Sequence, residues 1–271
     1  MKMEIEQVTI GNATLYCGDC FDILQTLDVR ADVVISDPPF AITACDWDKG
    51  LPFDQFWKTV DEKTIEAANF VLFGCGKFTF DLVRSKMDWY RYDLIWEKNN
   101  KCGFLNANLM PLRTHESILI FGKPGYQKVA TYNPQKTRGG KIGSYGRNKN
   151  SSVYQNKCGY ECVGDGTLHP CSIVKFNNDK DRVRRHPTQK PVGLMQWLVS
   201  SYSNTGDTII DPFMGSGTTG VAAIKLGRAF VGIEQKKKYF DIACQRIRQA
   251  VKEHQNQFPE VQKMVEAKKL F

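Results

Sequence analysis

Nothing in this chain of 271 residues reads as a membrane span or an export signal. The opening residues, MKMEIEQ, are charged and lack the apolar run of a signal peptide. No apolar stretch approaches the roughly 18 residues that a spanning helix needs. The nine cysteines follow no repeating frame, and their odd number excludes a fully paired disulfide scaffold. The expectation is a cytoplasmic protein with reduced thiols and no membrane partner. Most of the chain also lacks any excess of charge. Outside residues 123–185 there are 24 basic and 25 acidic residues, whereas inside that segment there are 13 and 4. The whole net charge of +8 therefore resides in one internal stretch. Mixed with Tyr, Asn and Gly, that stretch fits a surface for a polyanion, nucleic acid first.

Seven short apolar runs read as strands: residues 13–19, 32–37, 69–74, 92–98, 116–122, 207–212 and 229–234. Several are apolar nearly throughout, as strands covered on both faces must be. Helical patterns fall between most of them, at 53–68, 77–87, 191–202, 218–226 and 236–252. Strands alternating with helices imply an α/β, doubly wound, mostly parallel sheet. Residues 123–185 break that rhythm and read as an inserted small domain or loop system, and an exposed helical tail follows residue 258.

The stretch Gly215-Ser216-Gly217-Thr218-Thr219-Gly220 matches G-x-G-x-x-G, directly after a predicted strand and opening a predicted helix. Glycines let backbone approach a ligand closely, and a helix N-terminus offers unpaired N–H groups. The next strand ends at Glu234, an acid that can accept hydrogen bonds from ribose hydroxyls. The pattern suits a dinucleotide or another adenosine cofactor. Only a helix and a tail follow Glu234, so the missing strands must come from the N-terminal half. The sheet is then cut and rejoined elsewhere, with 13–19 and 32–37 beside the glycine strand. Their tips lie at the carboxyl edge, where open α/β sheets bind ligands.

The tip of the second strand is Asp37-Pro38-Pro39-Phe40. Two prolines stiffen the turn. The Asp37 side chain and the Pro38 carbonyl form a pair of acceptors, with the flat face of Phe40 beside them. Such a site suits a planar group bearing an –NH₂. An exocyclic amine is a poor nucleophile because its lone pair is delocalised into the ring. Holding both hydrogens toward acceptors frees that lone pair for an electrophile.

Taken together, these motifs resemble the amino-directed DNA methyltransferases that use S-adenosylmethionine, in their beta arrangement. SDPPF (36–40), the basic segment, HPTQKP (186–191) and DPFMGSGTT (211–219) come in that family's order, and YDLIWEKNN (92–100), LRTHESILIFGK (112–123) and ACDWDKGLPFDQFW (44–57) resemble other family segments. The resemblance covers nearly all of residues 13–250. It implies a Rossmann-like, seven-stranded methyltransferase sheet, circularly permuted, with an inserted target-recognition region. Residues 1–123 would be the catalytic half, 124–185 the DNA-binding insert, and 186–271 the cofactor half with its tail. Asp37, Pro38, Pro39 and Phe40 would hold the target amine and stack on a flipped base. Asp211, Phe213, Gly215, Ser216 and Gly217 would line the cofactor, with Asp37 also adjoining it. Glu234 would take its ribose, Asp19 with Cys20 its adenine, and Thr188 with Lys190 its methionine end. Phe40 stands where Tyr is commoner, which keeps stacking and loses a hydroxyl. Asp rather than Ser at 37 leans toward adenine N6, with cytosine N4 as the alternative. Double-stranded DNA is the implied substrate, and a homodimer and a cognate restriction endonuclease stay open as partners.

Two readings from other classes compete. A nicotinamide oxidoreductase would use the glycine motif but leaves DPPF and the basic insert unexplained. A non-catalytic nucleic-acid-binding module explains the charge alone. Cys158, Cys162, His169 and Cys171 cluster in the basic segment, but their spacing is not that of standard zinc knuckles. Cys45 and Cys75 read as packed thiols, since a cytosine-C5 enzyme would need Pro-Cys in place of the DPP motif. His115-Glu116 reads as ordering the core, and Lys236 to Lys238 as a solvated helix start.

Overall fold

The structure, a computed structural model, describes residues 5–41, 50–146, 161–177 and 189–257. Contacts divide the chain into two units, one of Met1–Asn133 with Ser172–Phe271 and one of Pro134–Cys171.

The larger unit contains β1 (Glu6–Ile10), β2 (Ala13–Cys17), α1 (Cys20–Thr26), β3 (Ala31–Ser36), α2 (Phe53–Glu62), β4 (Thr64–Gly74), α3 (Lys77–Ser85), β5 (Tyr90–Cys102) and β6 (Arg113–Gly122). In the smaller unit, β7 (Thr137–Gly146) pairs antiparallel with β8 (Glu161–Leu168). The larger unit resumes with β9 (Ile173–Lys175), α4 (Val192–Tyr202), β10 (Thr208–Asp211), α5 (Thr218–Lys225), β11 (Ala229–Glu234) and α6 (Lys237–Gln257).

Its sheet has nine strands in the order β1-β2-β11-β10-β3-β4-β6-β5-β9. The five from β2 to β4 are mutually parallel, and β6 runs against β4 and β5. All seven expected strands are present, and β1 and β9 extend the sheet at its two ends. The strand order places the C-terminal β10 and β11 inside strands drawn from the N-terminal half. One expectation needs correcting. β3 does border the glycine strand β10, but β2 lies one place further out, because β11 takes the position between them.

Period-two side chains explain the layering. Val33 and Ile35 of β3, with Val71 and Phe73 of β4, face α4, α5 and α6 through Leu198, Ala222 and Ile247. Val34, Phe70 and Leu72 point the other way, onto Phe56, Trp57 and Val60 of α2 and Phe78 and Leu82 of α3. Near α1, Ile23 and Leu24 cover Ile210 and Ile233. A strand sandwiched this way has no polar face, which is why β3 and β10 are legible as apolar runs.

Two local readings change. The helix expected over 53–68 stops at Glu62, and Thr64 already pairs with Ala31 in β4. The Ala31 N–H donates to the Lys63 carbonyl at 2.8 Å, so the sheet captures the chain at that point. Residues between Thr64 and Asn69 then form an irregularity against β3. The short helix α1 was not expected at all. Its apolar positions Cys20, Ile23 and Leu24 are buried, and Asp19 caps its N-terminus.

Candidate active site

The carboxyl ends of β2, β11, β10 and β3 border one cavity of about 610 Å³. Its wall includes Asp19, Cys20 and Phe21 after β2, Asp37 to Phe40 after β3, Asp211 to Ser216 after β10, and Glu234 at the end of β11. The ends of the neighbouring strands add Lys98, Arg113 and Glu116. Of the residues singled out in the sequence, Asp37, Pro38, Pro39, Phe40, Asp19, Cys20, Lys190, Asp211, Phe213, Gly215, Ser216 and Glu234 line this cavity. Gly217 stands just behind the wall as the N-cap of α5. Thr188, Cys45 and Cys158, together with the Cys162 side chain, lie outside the described residues.

The glycine loop is built by its backbone. Gly215 and Gly217 adopt φ values of 52° and 75°, the left-handed region where a side chain is strained. A Cβ on Gly217 would also stand 2.8 Å from the Ala243 Cβ of α6. A Cβ on Gly220 would meet Ile247 at 2.6 Å and Phe230 at 2.7 Å, so the third glycine serves helix packing. Arg246 of α6 braces the loop, donating to the Ser216 carbonyl at 2.6 Å and to Thr218 Oγ1 at 3.0 Å. Glu234 Oε2 accepts from the Gly215 N–H at 3.0 Å, and its Oε1 from the Lys236 N–H at 2.7 Å. Burial pushes the Glu234 carboxyl up to about 6, against the pull of those two N–H groups.

Asp211 and Asp37 end neighbouring strands but meet different partners. Asp211 is 2% exposed. It accepts from Ser36 Oγ at 2.5 Å, Thr219 Oγ1 at 2.6 Å and the Phe213 N–H at 3.1 Å. Burial pushes its carboxyl up to about 6, although Ser36, Thr219 and Phe213 all pull it down. These bonds tie the end of β3 to the end of β10 and the start of α5. Asp37, one residue beyond Ser36, instead meets the Lys190 ammonium at 2.5 Å.

Lys190 also lies 3.2 Å from Glu116 Oε2, and Lys98 holds Glu116 Oε1 at 2.9 Å. Burial alone would lower the Lys190 pKa, but Asp37 and Glu116 outweigh it and raise it. Burial would raise Glu116, but Lys190 and Lys98 outweigh it and hold it low. The Phe40 ring packs on Phe78 with centroids 4.9 Å apart.

Asp19 spends its carboxylate on the start of α1, accepting from the Phe21 N–H at 2.9 Å and the Asp22 N–H at 3.3 Å. The Cys20 thiol is buried and its pKa is pushed far up by desolvation, so it stays protonated beside the cavity. Arg113 donates to Cys75 Sγ at 3.1 Å, and burial raises that thiol too. His169 and Cys171 are exposed. No group of three potential metal ligands occurs among the described residues. No described helix is long and apolar enough to cross a membrane.

Sequence reasoning missed Glu116, Lys98 and Phe21. His115-Glu116 had suggested a pair that orders the core, but His115 is exposed while Glu116 turns into the cavity between two lysines. The acid just before the apolar run of β6 was the available signal. Nothing local announced its partners, which lie 18 and 74 residues away.

The family model described as DNA methylase matches residues 31–245. The chain is 26% identical over 264 residues to the type II methyltransferase M.HinfI of Haemophilus influenzae, covering 87% of this chain and 68% of that one. It is 27% identical over 246 residues to the type II methyltransferase M1.MboII of Moraxella bovis, covering 83% and 92%. Among solved structures, the M1.HpyAVI–SAM complex is similar with a TM-score of 0.60 and 25% identity, over 86% of this chain and 99% of that one. The cytosine-N4-specific PvuII DNA methyltransferase has the same fold, with a TM-score of 0.62 at 17% identity over 92% and 93%. The glycine loop and the proline turn thus share a cavity in a chain matched over most of its length, and that chain belongs to the N6/N4 DNA methylase family as a DNA methyltransferase.

Proposed function

We propose that this DNA methyltransferase moves a methyl group from S-adenosylmethionine to the exocyclic N6 of adenine in double-stranded DNA. The observation that carries the reading is the single cavity joining Asp37-Pro38-Pro39-Phe40 to Gly215 and Glu234. Its size falls in the range of small-molecule sites, roughly 300–1,000 Å³.

The residues present suit the cofactor. Phe21 and Phe213 offer apolar faces for a purine, and Glu234 offers lone pairs to ribose hydroxyls beyond its two backbone bonds. The carboxylates of Asp19 and Glu234 in the wall suit a sulfonium cation. Asp211, Gly215, Ser216 and Gly217 shape the loop beside it. Bound there, the cofactor supplies an electrophilic methyl group.

The chain's own residues act on the base. Asp37 and the Pro38 carbonyl accept the two amine N–H bonds, which turns the amine lone pair out of conjugation. Phe40 stacks on the ring, and the base reaches this pocket by leaving the duplex. Asp at position 37 supports adenine. Residues 124–185 serve as the target-recognition region, where the excess of basic residues suits the phosphate backbone. The same reading suits a cytoplasmic protein, and it leaves open a homodimer, a cognate restriction endonuclease and a role without one.

Plasmid DNA incubated with methyl-labelled cofactor tests this directly. Digestion to nucleosides should show label in N6-methyldeoxyadenosine, and mapping the label on defined DNA fragments should place it at one sequence context. Label in N4-methylcytosine overturns the adenine assignment and leaves amino methylation standing. Labelled RNA beside unlabelled DNA overturns the substrate.

A further inference from the structure

Lys190 is 7% exposed and bridges two carboxylates from different strands. Four charges alternate along one line, from Lys98 on β5 to Glu116 on β6, to Lys190 ahead of α4, to Asp37 after β3. The Lys190 Nζ also lies 4.8 Å from the Phe73 ring centroid and 5.9 Å from that of Phe40. It therefore pairs with the carboxylate of the proline turn and lies near its aromatic ring.

The family resemblance placed Lys190 at the methionine end of the cofactor. We infer that Lys190 is instead a positioning residue, which holds the Asp37 carboxylate in the orientation that receives the target amine. The inference rests on the proposed amino methylation at this site. A carboxylate at a strand end can rotate, and a charge-assisted hydrogen bond to one of its oxygens removes that freedom. Asp37 Oδ2 is the oxygen so held, at 2.5 Å. Glu116 holds the ammonium from its other side, and Lys98 holds Glu116 in turn. The line carries two positive and two negative charges, so it is neutral without help from the cofactor. Removing only Lys190 leaves two partly buried carboxylates facing one another, which also threatens the fold. Removing Lys190 and Glu116 together keeps the line neutral.

The test uses the full chain with Lys190→Gln and with Lys190→Gln/Glu116→Gln. Cofactor affinity is read by calorimetry, single-turnover methyl transfer at saturating cofactor by label in DNA, and folding by thermal unfolding. Misplacing a reacting group by about 1 Å costs on the order of 100-fold in rate. The expected result is a fall of about that size in both variants, with the Kd for S-adenosylmethionine within about three-fold of the parent value. If Lys190→Gln fails to fold, the charge-balanced double variant decides. A folded double variant with the parent's single-turnover rate overturns the inference. So does a Kd raised by about ten-fold, roughly 1.4 kcal/mol, with an unchanged rate at saturation, because that is the behaviour of a cofactor ligand. A parent protein that never labels DNA overturns the functional reading, and the inference falls with it.

Discussion

Asp211→Asn should flatten part of the pH dependence of stability. In the folded chain, burial pushes the Asp211 carboxyl up to about 6 despite bonds from Ser36, Thr219 and the Phe213 N–H. Unfolded, it returns to about 3.9. The folded value is the raised one, so folding favours the protonated form. The stability this group contributes is fully present below about pH 3.9 and is lost as pH rises through about 6. The full loss is about 3 kcal/mol, of which about 1.4 kcal/mol falls between about pH 5 and about pH 8. An asparagine cannot titrate, so that increment disappears in the variant.

Urea unfolding of both proteins at those two pH values measures the effect. The parent should lose about 1.4 kcal/mol more than the variant on going from the lower pH to the higher. Glu234, also pushed up to about 6 by burial, titrates in both proteins and cancels to first order in this comparison. The lost acceptor oxygen of Asp211→Asn changes absolute stability at both pH values and cancels as well. Equal pH slopes in the two proteins would refute the reasoning, because they would mean that Asp211 is not desolvated as its surroundings indicate.

Gly217→Ala forces a side chain into a backbone at φ 75° and against the Ala243 Cβ at 2.8 Å. The left-handed backbone alone costs roughly 1–2 kcal/mol, so the urea midpoint should drop by at least that equivalent. Glu234→Gln should raise the Kd for S-adenosylmethionine by about ten-fold, and calorimetry finding no change would remove Glu234 from the ribose site. Asp37→Ala, with folding checked by thermal unfolding, should lose methyl transfer by about 100-fold or more, whereas full transfer in the folded variant would remove Asp37 from the chemistry. Arg182, Arg184 and Arg185 are three of the 13 basic residues in 123–185, and replacing them by Ala tests the proposed phosphate contact. Each lost phosphate contact should reduce the slope of log affinity against log salt by about 0.9.

The parts legible from sequence were those set by neighbours in the chain. β3 and β10 announced themselves because both faces are covered, leaving apolar runs with no polar alternation. The glycine loop was legible because its backbone needs are local, with Gly215 and Gly217 both at positive φ. α1 escaped because it has only seven residues, and because nothing in the sequence separates Asp19 as a helix cap from Asp19 as a cavity residue. β9 escaped because three residues carry no period, and its pairing with β5 exists only in space. The charge line through Glu116 and Lys190 escaped for the same reason. Its members come from four segments, and each alone looks like an ordinary charged residue near a strand end.

The two Asp-Pro turns show why a shared motif does not imply a shared job. Parallel pairing sets Ile209 beside Val33 and Ile210 beside Val34, so the two strands reach the carboxyl edge almost level. Asp211 arrives there opposite hydroxyls and a backbone N–H, and its carboxylate is used up holding Ser36 and Thr219. Ser36 is the residue before Asp37. The buried carboxylate of one turn therefore fixes the base of the other, and Asp37 emerges beyond it into the cavity against the Lys190 ammonium. One aspartate locks the strand ends together, and the other, on a rigid proline turn, lines the cavity in an ion pair with Lys190. On the proposed function, disturbing Asp211 should then reach the reaction indirectly, through the placement of Asp37 and of the loop at Phe213 and Thr219, whereas disturbing Asp37 should reach it directly.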